Sequence, residues 1–385
     1  MRMRSDPASA ALVNGTTAHA LDYDDVSFAA SAHPSVSLLP CVLALAEEAH
    51  ASSHDVLRAY AIGFQCAVAL GRTMNPGHYR HGWHGTGTIG TIAATLAGGS
   101  LLRLTEDEIV AAVAVAASSA SGLRGNFGTD VKPYQVGNAN RAAVMAILLA
   151  RSGLVGVDDI LGIDQGFFEA YSPSNERPTK LVGGWEGPWA VLDPGITTKV
   201  FPSCASSHAS VGSILGLRAD GLRAGQVEEI SVGLTDVAFG NMRYPHPKTG
   251  LEAKFSLQYC LARALLDGTL TLDHFTDAAV ADAPTALMDR IEVHHDPRLT
   301  ESYEWGAHRP SLMSVRTMSG AGLTHRADAP PGAPGTYSAR MLHDKVYDCM
   351  ARGRVIGQPD EIIELAESMD RGYEINHLMR LLAAP

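Results

Sequence analysis

The fold is organised around a polar stretch that joins two apolar helical patterns, GLRGNFGTDVKPYQVGNANR (residues 122–141). Apolar residues with helical spacing precede it at residues 107–121 and follow it at residues 139–151. Glycine permits backbone conformations that other residues avoid, and proline interrupts helices, so we expect Pro133 to prevent one continuous helix. Loops held between rigid elements often carry ligand-binding side chains. The stretch therefore predicts a ligand-facing loop, with a solvated helix connection as the alternative.

More helical patterns lie on the N-terminal side of this stretch. Up to residue 170 we see no alternation with the period of two that a half-buried strand requires. Residues 1–190 are therefore predicted to form the first part of a helical domain. The predicted helices before the stretch are residues 8–21, with Asn14-Gly15 as a weak point, 35–49, 55–71 and 89–102.

The composition changes at residues 177–194, which are rich in Gly, Pro and Trp and are interpreted as a domain boundary. Beyond it, runs with the strand period of two alternate with helical patterns. This mixture predicts a smaller α+β lid domain over residues 195–330. The predicted strands are residues 229–235, 290–295 and 312–318, and the predicted helices are residues 206–217 and 257–266.

Helical patterns return at residues 339–352 and 359–382, after a Pro- and Gly-rich hinge. Residues 335–385 are therefore predicted to return to the helical domain. The predicted fold class is mainly α with an α+β part. A large all-helical domain is built from both chain ends, and the smaller α+β domain forms a lid.

Composition limits the classes of partner. The chain has 385 residues, 46% of them hydrophobic, which is enough for two domains with a substantial core. Its formal net charge of −11 argues against a surface that binds nucleic acid along the whole chain. Apolar runs are too short for a membrane-spanning helix, and the first residues lack the apolar run of a signal peptide. We therefore expect neither a nucleic-acid nor a membrane partner.

Cysteine and histidine spacing gives no metal or redox motif. The 5 cysteines stand singly without a CxxC pair, and the 16 histidines include no HExxH pair. Such spacing does not support an iron–sulfur cluster, a structural zinc site or a disulfide framework. We predict no metal, no cofactor and a reduced, cytoplasmic protein.

Several motifs occur in one order over nearly the whole chain. They are HALDYDD (residues 19–25), HP (33–34), GWHGTGTIG (82–90), GTDVKP (128–133), KVFPSC (199–204) with His208, and AKFSLQY (253–259). In this order they resemble the MmgE/PrpD family. The resemblance implies a site between the helical domain and the lid, a homodimer, no catalytic cofactor, and a small anionic di- or tricarboxylate as substrate.

The candidate catalytic residues follow from the chemistry of a carbon acid. Removing a proton next to a carboxylate needs a base, and the resulting enediolate needs positive charge. Lys132 and Lys199 offer that charge, and a cationic neighbour can lower the pKa of a lysine towards that of a base. His84 is assigned an acid–base role, Asp22 is expected to orient or charge a histidine or lysine, and Cys204 is a candidate proton donor. The alternatives are surface lysines, a capping histidine and an unreactive buried thiol.

Two positions depart from the family pattern. Gln135 stands where the family commonly has a histidine, and a neutral amide cannot serve as acid or base. Cys204 stands where the family's decarboxylase has a second histidine. Asp24 and Asp25 are expected to cap a helix or to be solvated. The predicted substrate-binding residues are His33, Arg141, Tyr134, Gln135, His208 and Trp83.

These features together predict an enzyme that moves an α-proton on a small di- or tricarboxylate without a cofactor. A hydro-lyase of the 2-methylcitrate dehydratase type is favoured. An iminodisuccinate-type epimerase comes second, because Cys204 can supply an acid on a second face of the substrate. A cis-aconitate-type decarboxylase is the least expected activity. A non-catalytic carboxylate-binding protein is the alternative that Gln135 raises.

Overall fold

The computed structural model describes residues 5–172, 185, 187–353 and 355–383. Helices dominate it, and one small sheet lies in the second half, so the predicted fold class is confirmed. The predicted boundary at residues 177–194 falls partly outside the described residues, and the domain limits stay predictions. The N-terminal helices are α1 (Pro7–Ala20), α2 (Pro34–Glu48), α3 (Ser53–Met74), α4 (Gly77–Arg80), α5 (Gly85–Leu101), α6 (Glu106–Ser119), α7 (Val131–Arg151) and α8 (Phe167–Tyr171).

The helical domain has one apolar core to which both chain ends contribute. Leu38, Phe64 and Ile92 are buried in this core, and Ile375 from near the C-terminus is buried in the same cluster. The C-terminal pattern at residues 359–382 was predicted as one helix, but it is divided near Gly372, whose φ of 75° leaves the helical region. The C-terminal helices are α16 (Ala339–Arg352), α17 (Pro359–Glu367) and α18 (Asn376–Leu382).

Helix α7 begins earlier than the sequence predicted. The expected break between two helices is present, because α6 ends at Ser119 and α7 begins at Val131. The placement of Lys132 and Pro133 in the loop was wrong, since both lie in the first turn of α7. Proline is tolerated in a first turn because the backbone N–H there has no partner within the helix. This start places Lys132 at the N-terminal end of a rigid helix, where its position depends on how α7 packs.

Helices α1 and α7 pack with their backbones unusually close. A Cβ atom on Gly15 would lie 2.9 Å from the Cα of Gly137, and one on Gly137 would lie 2.1 Å from Oγ1 of Thr16. Only glycine permits this approach. Because α1 ends shortly before Asp22 and α7 begins shortly before Lys132, the antiparallel packing brings these two side chains together.

The α+β domain is built on a four-stranded sheet of order β2-β1-β3-β4. Strand β1 pairs parallel with β2 and antiparallel with β3, which pairs antiparallel with β4. Strand β4 was not predicted, because its exposed residues lack an apolar alternation. The strands are β1 (Val227–Leu234), β2 (Ile291–His295), β3 (Ser311–Thr317) and β4 (Gly322–Ala327).

The sheet packs against helices through a second apolar core. Ile230 and Val232 of β1 and Met313 of β3 are buried there with Ile214 and Leu261 from two helices. Among the described residues, no helix combines the length and the apolar character that crossing a membrane requires. The helices of this domain are α9 (Ala205–Ala219), α10 (Asp236–Asn241), α11 (Gly250–Ala253), α12 (Leu257–Asp267), α13 (Asp277–Ala281), α14 (Thr285–Met288) and α15 (Pro297–Glu301).

Candidate active site

A cavity of about 40 Å³ lies where the helical domain faces the α+β domain. Charged, polar and aromatic side chains from both domains form its wall. The helical domain contributes Asp22, Phe28, His33, Tyr79, His84, Phe127 and Lys132, among others, and the α+β domain contributes Cys204, Asn241, Phe255 and Arg309.

A buried carboxylate lies between two buried ammonium groups at this cavity. Asp22 accepts a hydrogen bond from Lys132, and its Oδ1 lies 3.0 Å from Nζ of Lys199. Lys199 Nζ also donates to the backbone carbonyl of Asp22 at 3.0 Å. Burial alone would raise the pKa of Asp22, but the two lysines outweigh it and hold that pKa well below its usual value. Asp22 thus stays ionised and holds both cations in place.

The second acidic residue, Asp24, joins two histidines. Its Oδ2 lies 2.8 Å from Nδ1 of His19 and 3.0 Å from Nδ1 of His33. Its Oδ1 lies 3.7 Å from Nζ of Lys199. Asp24 and Asp25 were expected to be solvated or capping, which was wrong for Asp24, because its side chain is 4% exposed. Asp25 caps a helix as expected, because its carboxylate accepts hydrogen bonds from the backbone N–H and the hydroxyl of Ser35 in the first turn of α2.

The cluster of His19, Asp24 and His33 has the residue types of a metal site, with potential ligand atoms within 4.8 Å of one another. The hydrogen bonds nevertheless indicate donors on both rings. Nδ1 of His33 lies 2.8 Å from the carbonyl oxygen of Asp25, which only accepts, so this nitrogen carries a proton. Nδ1 of His19 likewise donates to the Asp24 carboxylate. In this arrangement the cluster is a hydrogen-bonded network that places His33 at the cavity.

His84 presents a free ring nitrogen within the site. Its Nδ1 lies 2.7 Å from Oε1 of Gln135, while Nε2 of Gln135 donates to the carbonyl of Leu123 at 3.1 Å. This second bond orients the amide, so Oε1 accepts from His84 and the proton lies on Nδ1. The Nε2 atom is buried and has no hydrogen-bond partner among the described residues. Burial and the neighbouring His19 and Lys132 keep the pKa of His84 well below its usual value. The ring is therefore neutral, with a lone pair on Nε2.

Cys204 brings a thiol to the cavity from the α+β domain. It precedes α9 and its backbone N–H donates to the carbonyl of Lys254 at 3.0 Å. Lys254 in turn joins the domains, because its Nζ donates to the carbonyls of Leu21 at 2.6 Å and Pro202 at 2.9 Å. Burial is the main cause that lowers the pKa of Lys254 to about 8. Sequence reasoning missed this lysine, although it lies in the AKFSLQY motif.

The structure brings Lys132, His84, Asp22, Cys204 and His33 together at the cavity. Lys199 is 0% exposed and lies behind Asp22 rather than on the cavity wall. The predicted substrate-binding residues Gln135, Arg141, Tyr134, Trp83 and His208 are not among the described residues that line the cavity, so their direct contact with a substrate is not supported.

Helix geometry explains why three of these five residues lie off the cavity wall. With 100° per residue, Tyr134 and Arg141 point about 160–180° away from Lys132 on α7, so they face solvent. Gln135 is about 60° from Lys132 and supports His84 from behind. Recognising the helix start at residue 131 would have separated these residues from the sequence alone.

The other two differences arise from packing. Trp83 lies against Tyr171, with ring centroids 4.6 Å apart. His208 is buried against Phe201, with centroids 5.2 Å apart, and its Nε2 lies 3.2 Å from the carbonyl of Ser203. Burial is the main cause that lowers the pKa of His208 to about 3. Both residues support elements that carry the site.

Sequence reasoning also missed Arg309, Asn241 and Tyr79 on the cavity wall. Nε of Arg309 is buried without a hydrogen-bond partner among the described residues. Its Nη1 donates to Oγ of Ser206 at 2.9 Å. No local pattern distinguishes these residues, because their positions depend on how the two domains meet.

The fold and the cavity define a two-domain protein with a buried lysine, carboxylate and histidine site between its domains. The model of the MmgE/PrpD N-terminal domain matches residues 1–179, and that of the MmgE/PrpD C-terminal domain matches residues 201–371. The chain therefore belongs to the MmgE/PrpD family, which confirms the resemblance.

Characterised relatives have two different activities. The chain is similar to the cis-aconitate decarboxylase of Homo sapiens, with 29% identity over 85% of this chain and 69% of the relative. It is 28% identical to that of Mus musculus, over 99% of this chain and 80% of the relative. It is also 26% identical to the 2-methylcitrate dehydratase of Salmonella typhimurium, over 77% of this chain and 65% of the relative.

Proposed function

We propose that this protein is a lyase that moves a proton at a carbon next to a carboxylate of a small di- or tricarboxylate, with the chain's own side chains as acid and base. The observation that carries the proposal is the neutral, buried Nε2 of His84 in the same cavity as the Lys132–Asp22 ion pair. A base and a positive charge within one cavity are what ionising a carbon acid requires.

The charges of the site favour an anionic substrate. The single negative charge of Asp22 balances only one of the two ammonium groups that it contacts, those of Lys132 and Lys199. Of these two lysines, Lys132 lies on the cavity wall. A substrate carboxylate near Lys132 finds a cation that is already held in position. Because the site is buried, this attraction is screened less than at the protein surface. The same cation stabilises the enediolate that develops when the α-proton leaves.

His84 is the proposed base. Its Nε2 lone pair accepts the proton, and Gln135 stabilises the resulting imidazolium by accepting a hydrogen bond from Nδ1–H. A bound carboxylate raises the pKa of the imidazole, because opposite charge favours the protonated ring. The amide at residue 135, which raised the alternative of a non-catalytic protein, thus fixes the tautomer that a base needs.

Dehydration requires an acid in addition to the base, because the leaving hydroxide must be protonated. Cys204 and Lys132 carry protons at the cavity and are the candidates for this step. Relatives that are 2-methylcitrate dehydratases support a hydro-lyase. Decarboxylation is the second candidate, because decarboxylases of two mammals have higher identity to the chain. The comparisons therefore do not support ranking decarboxylation last on the basis of Cys204.

The reaction can be identified by NMR in D₂O with citrate, 2-methylcitrate, cis-aconitate and an aminodicarboxylate as substrates. A hydro-lyase forms an alkene from a hydroxy acid, and a decarboxylase releases CO₂ from cis-aconitate. An epimerase incorporates deuterium with inversion. The wild type should catalyse one of these reactions and His84→Gln should not. Neither turnover nor exchange with any of them, despite carboxylate binding, would instead indicate a non-catalytic binding protein.

The homodimer and the cytoplasmic location are retained as parts of this proposal. The family resemblance motivates the dimer, and the single cysteines motivate a reducing compartment. Light scattering on the purified protein tests the dimer through its mass, since one chain is 40.7 kDa. Fractionation of the source cells tests the location.

A further inference from the structure

We propose that Arg309, supported by Ser206 and Asn241, forms a second carboxylate-binding subsite in the cavity, for the substrate carboxylate that is remote from the reacting carbon. This inference deepens the proposed function and rests on it for the chemical class of the ligand. It predicts that the protein selects di- and tricarboxylates over monocarboxylates.

The polar contacts of Arg309 leave part of its guanidinium without a partner among the described residues. Its Nη1 donates to Oγ of Ser206 at 2.9 Å, whereas its Nε is buried and has no hydrogen-bond partner among the described residues. Its guanidinium lies 5.3 Å from the ring centroid of Phe28 and 5.7 Å from that of Tyr79. No ion pair among the described residues includes Arg309. A guanidinium with donors to spare and no carboxylate partner is suited to an anionic ligand.

A hydrogen-bond network holds this arginine through Ser206. Asn241 Oδ1 accepts from Nη2 of Arg124 at 2.8 Å, and Asn241 Nδ2 donates to Oγ of Ser206 at 3.1 Å. Ser206 Oγ therefore accepts bonds from both Asn241 and Arg309, which leaves its own hydrogen available to donate. The guanidinium of Arg124 stacks 3.8 Å from the Tyr79 ring centroid. Two arginines thus flank one tyrosine, and such a partly buried positive pair is stabilised by an anion.

Arg309 and Lys132 lie beside different aromatic residues of the cavity. Nζ of Lys132 lies 5.5 Å and 5.2 Å from the rings of Phe127 and Phe255, so it contacts different aromatic residues from those beside Arg309. Lys132 belongs to the helical domain and Arg309 to the α+β domain, yet both line one cavity. A ligand with carboxylates at two ends can pair with both cations, whereas a monocarboxylate can pair with only one.

The test measures binding rather than turnover. Tricarballylate, which lacks a leaving hydroxyl, is titrated calorimetrically into the wild type, Arg309→Gln and Arg309→Lys, and butyrate serves as the monocarboxylate. Losing a charge-assisted, bidentate contact weakens binding by about 10-fold or more. We expect that loss for tricarballylate with Arg309→Gln, a smaller loss with Arg309→Lys, and no change for butyrate.

Arg243→Gln is the matched control. Arg243 is exposed near the same arginines, with its guanidinium 5.8 Å from the Phe127 ring centroid, and is not among the described residues on the cavity wall. Arg243→Gln removes the same charge as Arg309→Gln. Because Arg243 is exposed, the Kd for tricarballylate should change by less than about 2-fold at moderate salt. If Arg309→Gln fails to fold, as judged by circular dichroism, Arg309→Lys decides the question.

Unchanged tricarballylate binding in either folded Arg309 variant overturns the subsite, as does an equal loss for butyrate. Failure of the proposed lyase function would give a different set of results from failure of the subsite. In that case the wild type binds tricarballylate and Arg309→Gln weakens it, but no substrate of the panel is turned over. If the wild type does not bind tricarballylate, the subsite is refuted, while turnover of a panel substrate would still support the lyase.

Discussion

Replacing Asp22 with asparagine should destabilise the protein more than any other conservative change at the cavity. Asp22 has a φ of 51°, and asparagine tolerates this left-handed conformation, so Asp22→Asn changes the charge with little backbone strain. Lys132 then loses its carboxylate partner, and Lys199 retains Asp24 at 3.7 Å as its remaining ion pair among the described residues. Removing one partner of a buried ion pair costs about 3–5 kcal/mol.

The pH dependence of this loss follows from the pKa of Asp22, which is held well below its usual value. A carboxyl group whose pKa is lower in the folded state stabilises that state above its unfolded pKa, near about 3.9. The stabilisation disappears as the pH falls through the folded pKa. The difference between wild type and Asp22→Asn should therefore be constant from about pH 6 to pH 8 and shrink progressively below about pH 4.

The free energy of unfolding is measured by urea titration at several pH values. Asp220→Asn is the control, because Asp220 is exposed at the end of α9 and should change stability by less than about 0.5 kcal/mol. The double variant Asp22→Asn with Lys132→Met should regain part of the loss, since it removes one unpaired buried ammonium group. A loss at pH 7 as small as that of the control would refute the assignment of Asp22 as a buried counter-ion.

Three further predictions concern catalysis and the contact between the domains. Gln135→Glu places a carboxylate beside Nδ1 of His84, which raises the pKa of His84. The acidic limb of the pH profile of kcat/KM should therefore move to higher pH, and an unmoved limb would contradict the role of His84 as base. Cys204→Ala should slow product formation about 100-fold while deuterium exchange into the substrate continues, and NMR showing both lost together would argue against a separate acid. Because the pKa of Lys254 is lowered to about 8, the folded protein binds fewer protons than the unfolded chain between about pH 8 and about pH 10. The stability of the wild type should therefore rise with pH in this window relative to Lys254→Met. Parallel urea midpoints for the two proteins across that window would show that Lys254 is not buried at the domain contact.

Much of the helical architecture could be predicted because it is encoded locally. Periodicity located α1, α2, α3 and α5 to within a few residues, since an amphipathic or apolar helix repeats its pattern every turn. The start of α7 was missed because Pro133 was interpreted as a stop rather than as a first-turn residue. Strand β4 was missed because its residues are exposed, so no burial pattern marks it.

The sequence by itself determined which side chains were available to the site, through motifs that contain Asp22, His84, Lys132 and Lys199. Tertiary structure alone decided that they meet, because Asp22 is separated by 110 residues from Lys132 and by 177 from Lys199. It also decided that Arg309 lines the same cavity as Lys132 and His84, since that depends on how one domain packs against the other. Local patterns record the period of a helix or strand, whereas contacts between distant residues depend on backbone packing, as where α1 and α7 approach through paired glycines.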